Sequence, residues 1–270
     1  MSLITQGHVD PAGVAVINRL IAEEHIRWAD YRAEVDSTNT AAMNDLRQQT
    51  FPIDQLPRLY LADQQTAGRG RHGRTWLSEN QSLTFSLVTQ HETSDQIAML
   101  PIMVGVAVAR AVEFSFAPLK SRLKWPNDVY VDGGKVAGIL VESTQASPNQ
   151  FVLGIGMNVN LAPQLSDEDH PATPKAIASV IGRSVDRFEL LENVIHQLGN
   201  VFSDEAVEVV ADFRKRCWLT GFEVGFETAG STTRQTGVCR GIDERGQLIV
   251  EIDGQSTTHT TGEVRRMRLL

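Results

Sequence analysis

Cysteine is scarce in this sequence. Cys217 and Cys239 are the only two among 270 residues, and their spacing matches no redox or metal motif. A disulfide framework is thereby excluded, and a reducing cytoplasm is the expected location. Long hydrophobic runs are missing as well. The longest, Ile97 to Val112, contains Pro101 and Arg110 and is too short to cross a bilayer, so no membrane association is expected. The opening MSLITQGHVDPAG has no basic stretch ahead of an apolar one, and a secretory leader is not expected. Nor is there a surplus of positive charge: 25 lysines and arginines against 33 acidic residues leave a net charge of -8, which argues against a broad nucleic-acid-binding face. Repeats, low-complexity tracts and charge blocks are absent. What is present is an ordinary globular composition, 41% hydrophobic and 21% charged, with length for one large core or two domains.

The order of elements is readable from periodicity. Val14 to Glu24 places Val14, Ile17 and Ile21 on one helical side. From about Tyr31 the text alternates between strand and helix. Arg58–Asp63, Ser82–Val88, Val136–Ser143 and Phe151–Asn160 are short and rich in strand-forming residues. Ile97 to Phe114 is apolar on nearly every side, as a helix buried against a sheet would be. Thr173-Pro174 is expected to cap a helix carrying Ile177, Val180 and Ile181 that stops at Gly182. Phe188, Leu191, Ile195, Leu198 and Phe202 give a further helix its buried stripe. After Trp218 the texture becomes short strands between turn signals such as Asp243-Glu244-Arg245-Gly246 and Asp253-Gly254, the mark of a small all-β unit. The expected organisation is an extension with a short helix over 1–30, a helix-and-sheet domain over 31–218 and a β domain over 219–270.

One segment breaks the acidic pattern. Gly68-Arg69-Gly70-Arg71-His72-Gly73 spells the dinucleotide fingerprint, yet Gln64 to Ala67 separates it from the preceding strand and no amphipathic helix follows it. The glycines leave backbone N–H groups accessible, while Arg69, Arg71 and Arg74 bring three permanent charges. Such a loop suits a small anionic ligand; taken alone, it is equally well a solvated basic loop.

Four more segments carry chemistry-bearing residues at positions where packing alone asks for none. Asp36-Ser37-Thr38-Asn39 precedes a helix, and an N-cap is its bland reading. Lys124-Trp125-Pro126-Asn127-Asp128 sets a lysine, an indole and a carboxylate around a proline. Gly134-Lys135-Val136-Ala137-Gly138-Ile139-Leu140 puts a lysine at the mouth of a buried strand; it is no phosphate-binding P-loop, because Val136 stands where Ser or Thr is needed. Gly154-Ile155-Gly156-Met157-Asn158-Val159-Asn160 combines close-approach glycines with two asparagines.

Taken in order, DSTN, QTAGRGRHGRTW, KWPND, GKVAGILVE and GIGMNVN over positions 36–160 resemble the biotin–protein ligase family. The resemblance implies a mixed sheet flanked by helices, an α+β domain, followed by a small SH3-like β-barrel. It implies an ATP-dependent reaction in which the biotin carboxylate attacks the α-phosphate to give biotinyl-5′-AMP, and the acyl group then passes to a lysine of a biotin carboxyl carrier protein. By the same resemblance Ser37, Thr38, Asn39, Gln65, Arg69, Gly70, Arg71, Lys135, Gly138 and Gly154 would line the biotin pocket. Arg69, Arg71, Arg74, Trp76, Asn127, Lys135, Leu140 and Asn158 would meet ATP. Lys135, Arg69 and Asp128 would be catalytic, with Asp128 holding Mg2+ that arrives with the nucleotide. The glycine–arginine loop would act as a lid against water. A homodimer is a further expectation.

Some relatives carry a DNA-binding winged helix ahead of DSTN. With 35 residues before Asp36, no operator-binding role is expected. The family often places an arginine four residues after the glutamate of a Gly-Glu-Val segment, where Gly262-Glu263-Val264-Arg265-Arg266-Met267 has Met267. Arg265, Arg266 and Arg268 are left unassigned as substitutes. Two rival readings stay open: a lipoate–protein ligase of the same fold, and a non-enzymatic sensor that binds the adenylate.

Overall fold

A computed structural model describes residues 3–78, 81–91, 94–164, 173–227, 235–260 and 263–266. The chain opens with β1 (Leu3–Gln6), α1 (Pro11–Ala22), β2 (Trp28–Val35), α2 (Thr38–Gln48), β3 (Arg58–Gln65) and β4 (Leu83–Gln90). It continues through α3 (Ser94–Ser115), β5 (Ser121–Lys124), β6 (Asp128–Val131), β7 (Gly134–Thr144) and β8 (Ser147–Met157). Three helices follow, α4 (Ile177–Ile181), α5 (Arg187–Ser203) and α6 (Ala206–Arg216). The last strands are β9 (Glu223–Glu227), β10 (Gln235–Ile242), β11 (Leu248–Ile252), β12 (Gln255–His259) and β13 (Glu263–Arg266).

Strands β1 to β8 form one mixed sheet in the order β1-β2-β3-β4-β8-β7-β6-β5, parallel among the first three and antiparallel from β3–β4 onward. Strand periodicity sorts its residues onto two faces. Phe151, Leu153, Ile155 and Met157 of β8 enter the main core with α1, α3, α5 and α6. Val152 faces the other way, into a smaller core with Tyr60, Val88 and the α2 residues Ala42, Met43 and Leu46. Gly154 and Gly156 share the face of Val152, so the strand carries side chains under α2 and then none just beyond it. That bare stretch of sheet is the floor of the site.

α3 is the central beam. Val104, Val106, Ala107, Val108, Ala109, Ala111 and Val112 are all buried, each valine contributing about 1.5–3 kcal/mol by leaving water. Its one cation, Arg110, pairs with Asp204 at 2.6 Å and Asp212 at 2.8 Å, tying α3 to the end of α5 and to α6. β9 to β13 make a separate antiparallel sheet, ordered β12-β11-β10-β9-β13, consistent with an SH3-like unit. It is joined to the larger part by Arg214 Nε donating to the Ile242 carbonyl (2.9 Å) and Trp125 Nε1 donating to that of Gly246 (2.9 Å). No helix among the described residues is long and apolar enough to cross a membrane.

Several sequence expectations need correction in detail. The first helix runs Pro11–Ala22, not 14–24, because the Asp10 carboxylate accepts from Ala12 N–H with Pro11 at the first position. Residues ahead of 31 also supply β1 and the first three residues of β2, so that stretch builds sheet as well as a helix. Thr173-Pro174 caps nothing: α4 starts after Ala176, and Pro174 instead bridges to Lys135. The helix does stop at Gly182, in the left-handed conformation (φ 73). The strand read through Asn160 ends at Met157, because Asn158 N–H turns to the Val136 carbonyl at 2.8 Å. Gly262, Met267 and Arg268 lie outside the described residues.

Candidate active site

All sixteen residues assigned to a site from the sequence line one cleft on the α2 side of the sheet. They are Ser37, Thr38, Asn39, Gln65, Arg69, Gly70, Arg71, Arg74, Trp76, Asn127, Asp128, Lys135, Gly138, Leu140, Gly154 and Asn158. No two of the five segments that supply them are adjacent in sequence; the sheet order brings them together.

One end of the cleft is the N-terminus of α2. Ser37 is the N-cap, its Oγ accepting from Thr40 N–H at 3.4 Å. Thr38, the first residue of α2, donates its N–H to Gln65 Oε1 at the end of β3, at 2.8 Å. Ser86 Oγ lies 2.6 Å from Asn39 Oδ1 and 2.8 Å from Thr38 Oγ1, on the cleft face of β4. Asn39 Nδ2 donates to Glu142 Oε2 at 2.9 Å, and the same carboxylate takes both terminal nitrogens of Arg69 at 2.7 and 3.0 Å. Ser37, Thr38, Asn39 and Ser86 are all buried, so this is a dry wall of fixed donors and acceptors. Gly154 makes it possible: a Cβ there would sit 2.0 Å from Asn39 Oδ1.

The glycine–arginine segment is a small hairpin, not a strand-to-helix junction, which disposes of the dinucleotide spelling. Arg69 bridges to Thr75, Gly70 N–H donates to the Arg74 carbonyl at 2.8 Å, and Trp76 N–H to that of Gly68 at 2.9 Å. His72 and Gly73 turn the tip with φ of 56 and 73. The hairpin lays the Trp76 indole on the cross-strand pair Gly138–Gly156. A Cβ at Gly156 would lie 2.4 Å from Trp76 Cε2, so only glycine admits the ring this close. Trp76 Nε1 is buried without a partner among the described residues.

The opposite wall comes from β5 to β7. Lys135 Nζ pairs with Asp128 Oδ1 at 2.6 Å and stands 5.9 Å from the centroid of the Trp76 ring. Asn127 is fixed by two bonds to Ile139, its Nδ2 donating to the carbonyl at 2.8 Å and its own carbonyl accepting from the N–H at 3.0 Å. Its Oδ1 takes Arg71 NH1 at 3.3 Å, so the hairpin closes onto the far wall. Asn158 Nδ2 donates to the Lys135 carbonyl at 3.2 Å, and its buried Oδ1 is unpaired, ready for a donor. Asp128 is the one carboxylate among the described lining residues, and Glu142 adds a second behind Arg69, against Arg69, Arg71, Arg74, Lys124 and Lys135. A protein of net charge -8 thus carries a cleft strongly biased toward anions.

Sequence reasoning missed four members of this site. Lys124, buried and lining the cleft, was visible in its segment but given no role. Glu142 closes a matched segment, and its bonds to residues 39 and 69 reach too far along the chain to be read from spacing. Thr84 and Ser86 look like ordinary strand residues; only the register of β4 against β8 turns them toward the cleft. Arg265 and Arg266 fall in β13, next to Val264, which does line the cleft.

The geometry agrees with the similarities of the chain. The model of the biotin/lipoate A/B protein ligase family matches residues 31–160. A biotin–[acetyl-CoA-carboxylase] ligase of Mycobacterium tuberculosis is 32% identical over 216 residues, covering 77% of this chain and 78% of the relative. One from Paracoccus denitrificans is 30% identical over 225 residues, covering 81% and 92% respectively. Among solved structures, the biotin protein ligase from Aquifex aeolicus in complex with biotin and ATP superposes with a TM-score of 0.73 at 27% identity, over 88% of this chain and 99% of the other. With the fold, the motif order and two relatives of 30% identity or more in agreement, this chain belongs to the biotin–protein ligases of the biotin/lipoate A/B protein ligase family.

Proposed function

We propose that the protein joins biotin to ATP as biotinyl-5′-AMP and then transfers the biotinyl group to a lysine of a biotin carboxyl carrier protein. The observation that carries this reading is the meeting, in one cleft, of a dry hydrogen-bonding wall at α2 with the cations around Lys135. Biotin needs both: its ureido ring is neutral and wants fixed partners in a dry pocket, and its carboxylate must approach a phosphate of like charge.

The roles follow from position. Ser37, Thr38, Asn39 and Gln65 would meet the ureido ring, with Gly154 and the backbone of Gly70 allowing close approach. Lys135 would stand between the biotin carboxylate and the α-phosphate, exchanging its Asp128 partner for the two anions. The carboxylate oxygen attacks the α-phosphorus, the bond to the β-phosphate oxygen breaks, and pyrophosphate leaves with its charge balanced by Arg71 and Arg74. Arg69, held by Glu142, would keep the hairpin over the site. Trp76, Leu140, Gly138, Asn127 and Asn158 would surround the nucleotide, the unpaired Asn158 Oδ1 taking one of its donors. Magnesium would come with ATP. A single carboxylate, Asp128, completed by phosphate oxygens and water, suits an ion that prefers substrate phosphates to an all-protein cage. In the second step the acceptor amine attacks the acyl carbon and AMP departs. We assign this chemistry to residues 31–218 and place the β unit of residues 219–270 as a support, since the Trp125 indole N–H in the cleft wall donates to the Gly246 carbonyl at 2.9 Å.

The test is pyrophosphate release from ATP with biotin and, in parallel, with lipoate. Release with biotin followed by labelling of an added carrier domain is expected. Release with lipoate alone would transfer the site to the rival acid, and binding without release would leave a sensor.

A further inference from the structure

Away from the cleft, the end of α1 faces the middle of α5. Glu23 closes α1, Glu24 takes the left-handed conformation (φ 63), and the chain turns back so that His25 N–H reaches the Leu20 carbonyl at 3.0 Å. This turn sets Glu23 and His25 against His196 of α5. Glu23 Oε2 lies 3.7 Å from His25 Nε2 and 3.6 Å from His196 Nε2, and one ligand atom from each residue falls within 4.8 Å of the others. The two imidazoles tilt at 51° with centroids 4.3 Å apart.

These contacts are too long for hydrogen bonds, and His196 Nε2 is buried with no hydrogen-bond partner among the described residues. Buried ring nitrogens ordinarily have one. Glu192, one turn before His196, is already bound to Arg19 through both carboxylate oxygens and is not spare. The local balance is therefore two carboxylates, Glu23 and Glu192, against the single cation Arg19.

We propose that Glu23, His25 and His196 bind one divalent transition-metal ion of the zinc class. Two imidazole nitrogens and one carboxylate oxygen would serve as ligands, with the fourth position open to water. Tetrahedral ligands at about 2.0–2.2 Å from such an ion stand about 3.3 Å apart, so the two separations from Glu23 need to close by only a few tenths of an ångström, while the two imidazole nitrogens, within 4.8 Å of each other, draw together by a rotation of their side chains. Imidazole donors suit zinc, copper and nickel, whereas calcium and magnesium want oxygen. None of the three residues lines the cleft. The ion would staple the turn after α1 to α5, and would leave the ligation chemistry alone.

The experiment is calorimetric titration of the full, metal-stripped protein with Zn2+ under reducing conditions at neutral pH, repeated with Glu23→Gln, His25→Ala and His196→Gln. One ion per chain is expected, with affinity reduced on the order of 10-fold or more in each variant. Bound Co2+ should show the intense visible bands of a four-coordinate site in the wild type and lose them in His25→Ala. Circular dichroism checks that each variant is folded, and biotin-dependent pyrophosphate release should be the same with and without the ion. The partly exposed Glu23 and His25 keep the test usable if His196→Gln fails to fold. Absence of binding, or equal Zn2+ affinity in the wild type and in Glu23→Gln and His25→Ala, would overturn the site.

Discussion

Replacing Gly154 with alanine should damage the biotin end of the cleft through a single neighbour. The new Cβ would fall 2.0 Å from Asn39 Oδ1 and 2.7 Å from its Cγ, so the Asn39 amide must leave its place. Three bonds go with it: those with Ser86 Oγ and the Leu140 carbonyl, about 1 kcal/mol each, and the one to the Glu142 carboxylate, about 1.5–3 kcal/mol. The expected loss of stability is thus about 3.5–5 kcal/mol, or roughly 7–20 °C in thermal midpoint for a chain of this size. Biotin affinity, read by calorimetry, should fall with it. A double-mutant cycle isolates the cause. In Asn39→Ala the space is vacated, so adding Gly154→Ala to that background should cost little more, and the two effects should be far from additive. Additive losses, or a Gly154→Ala protein with unchanged stability and biotin affinity, would refute the steric argument.

Lys135→Met should leave a folded protein that binds ATP but makes adenylate on the order of 10²–10³-fold more slowly, since one preorganised positive charge is lost; single-turnover pyrophosphate release measures this. Glu142→Gln removes the charge that holds Arg69 and weakens the bond to Asn39, so it should raise KM for biotin and for ATP by on the order of 10-fold, for about 1.5 kcal/mol of lost positioning, with a smaller effect in an Arg69→Ala background. Burial among Phe151 and Phe202 holds the His91 imidazole below its ordinary pKa. The unfolded chain therefore takes up a proton that the folded chain refuses. Stability should fall as pH drops below about 6.5 toward the folded value, and His91→Gln should flatten that slope in denaturant titrations across pH.

The legible parts of this fold were those in which one residue type dominates a run. β3, β4, β7 and β8 are central strands rich in apolar residues, and α3 is buried on almost every side. β1 and β13 escaped notice because each has only four residues, and the side chains of β1 are mostly exposed. α6 escaped because its buried residues Val209, Val210 and Phe213 stand among charges and a helix this short repeats its stripe too few times. The site was legible in its motif residues, which ligand chemistry constrains one by one. It was not legible in Ser86 and Glu142, whose parts depend on which strand lies beside which. The net charge hid the anion-seeking cleft; only the arginines of the 69–74 loop hinted at it, and Lys124 and Lys135 join them only after the sheet is assembled.

The most direct test of the central claim is to trap the intermediate. The protein is incubated with α-labelled ATP and biotin, and the products are separated before and after addition of a biotin carboxyl carrier domain. The account predicts a labelled biotinyl adenylate that forms only with biotin, then disappears as the carrier gains one biotinyl group and labelled AMP is released. Carrier biotinylation without any adenylate, or adenylate formed as fast by Lys135→Met as by the wild type, would contradict it.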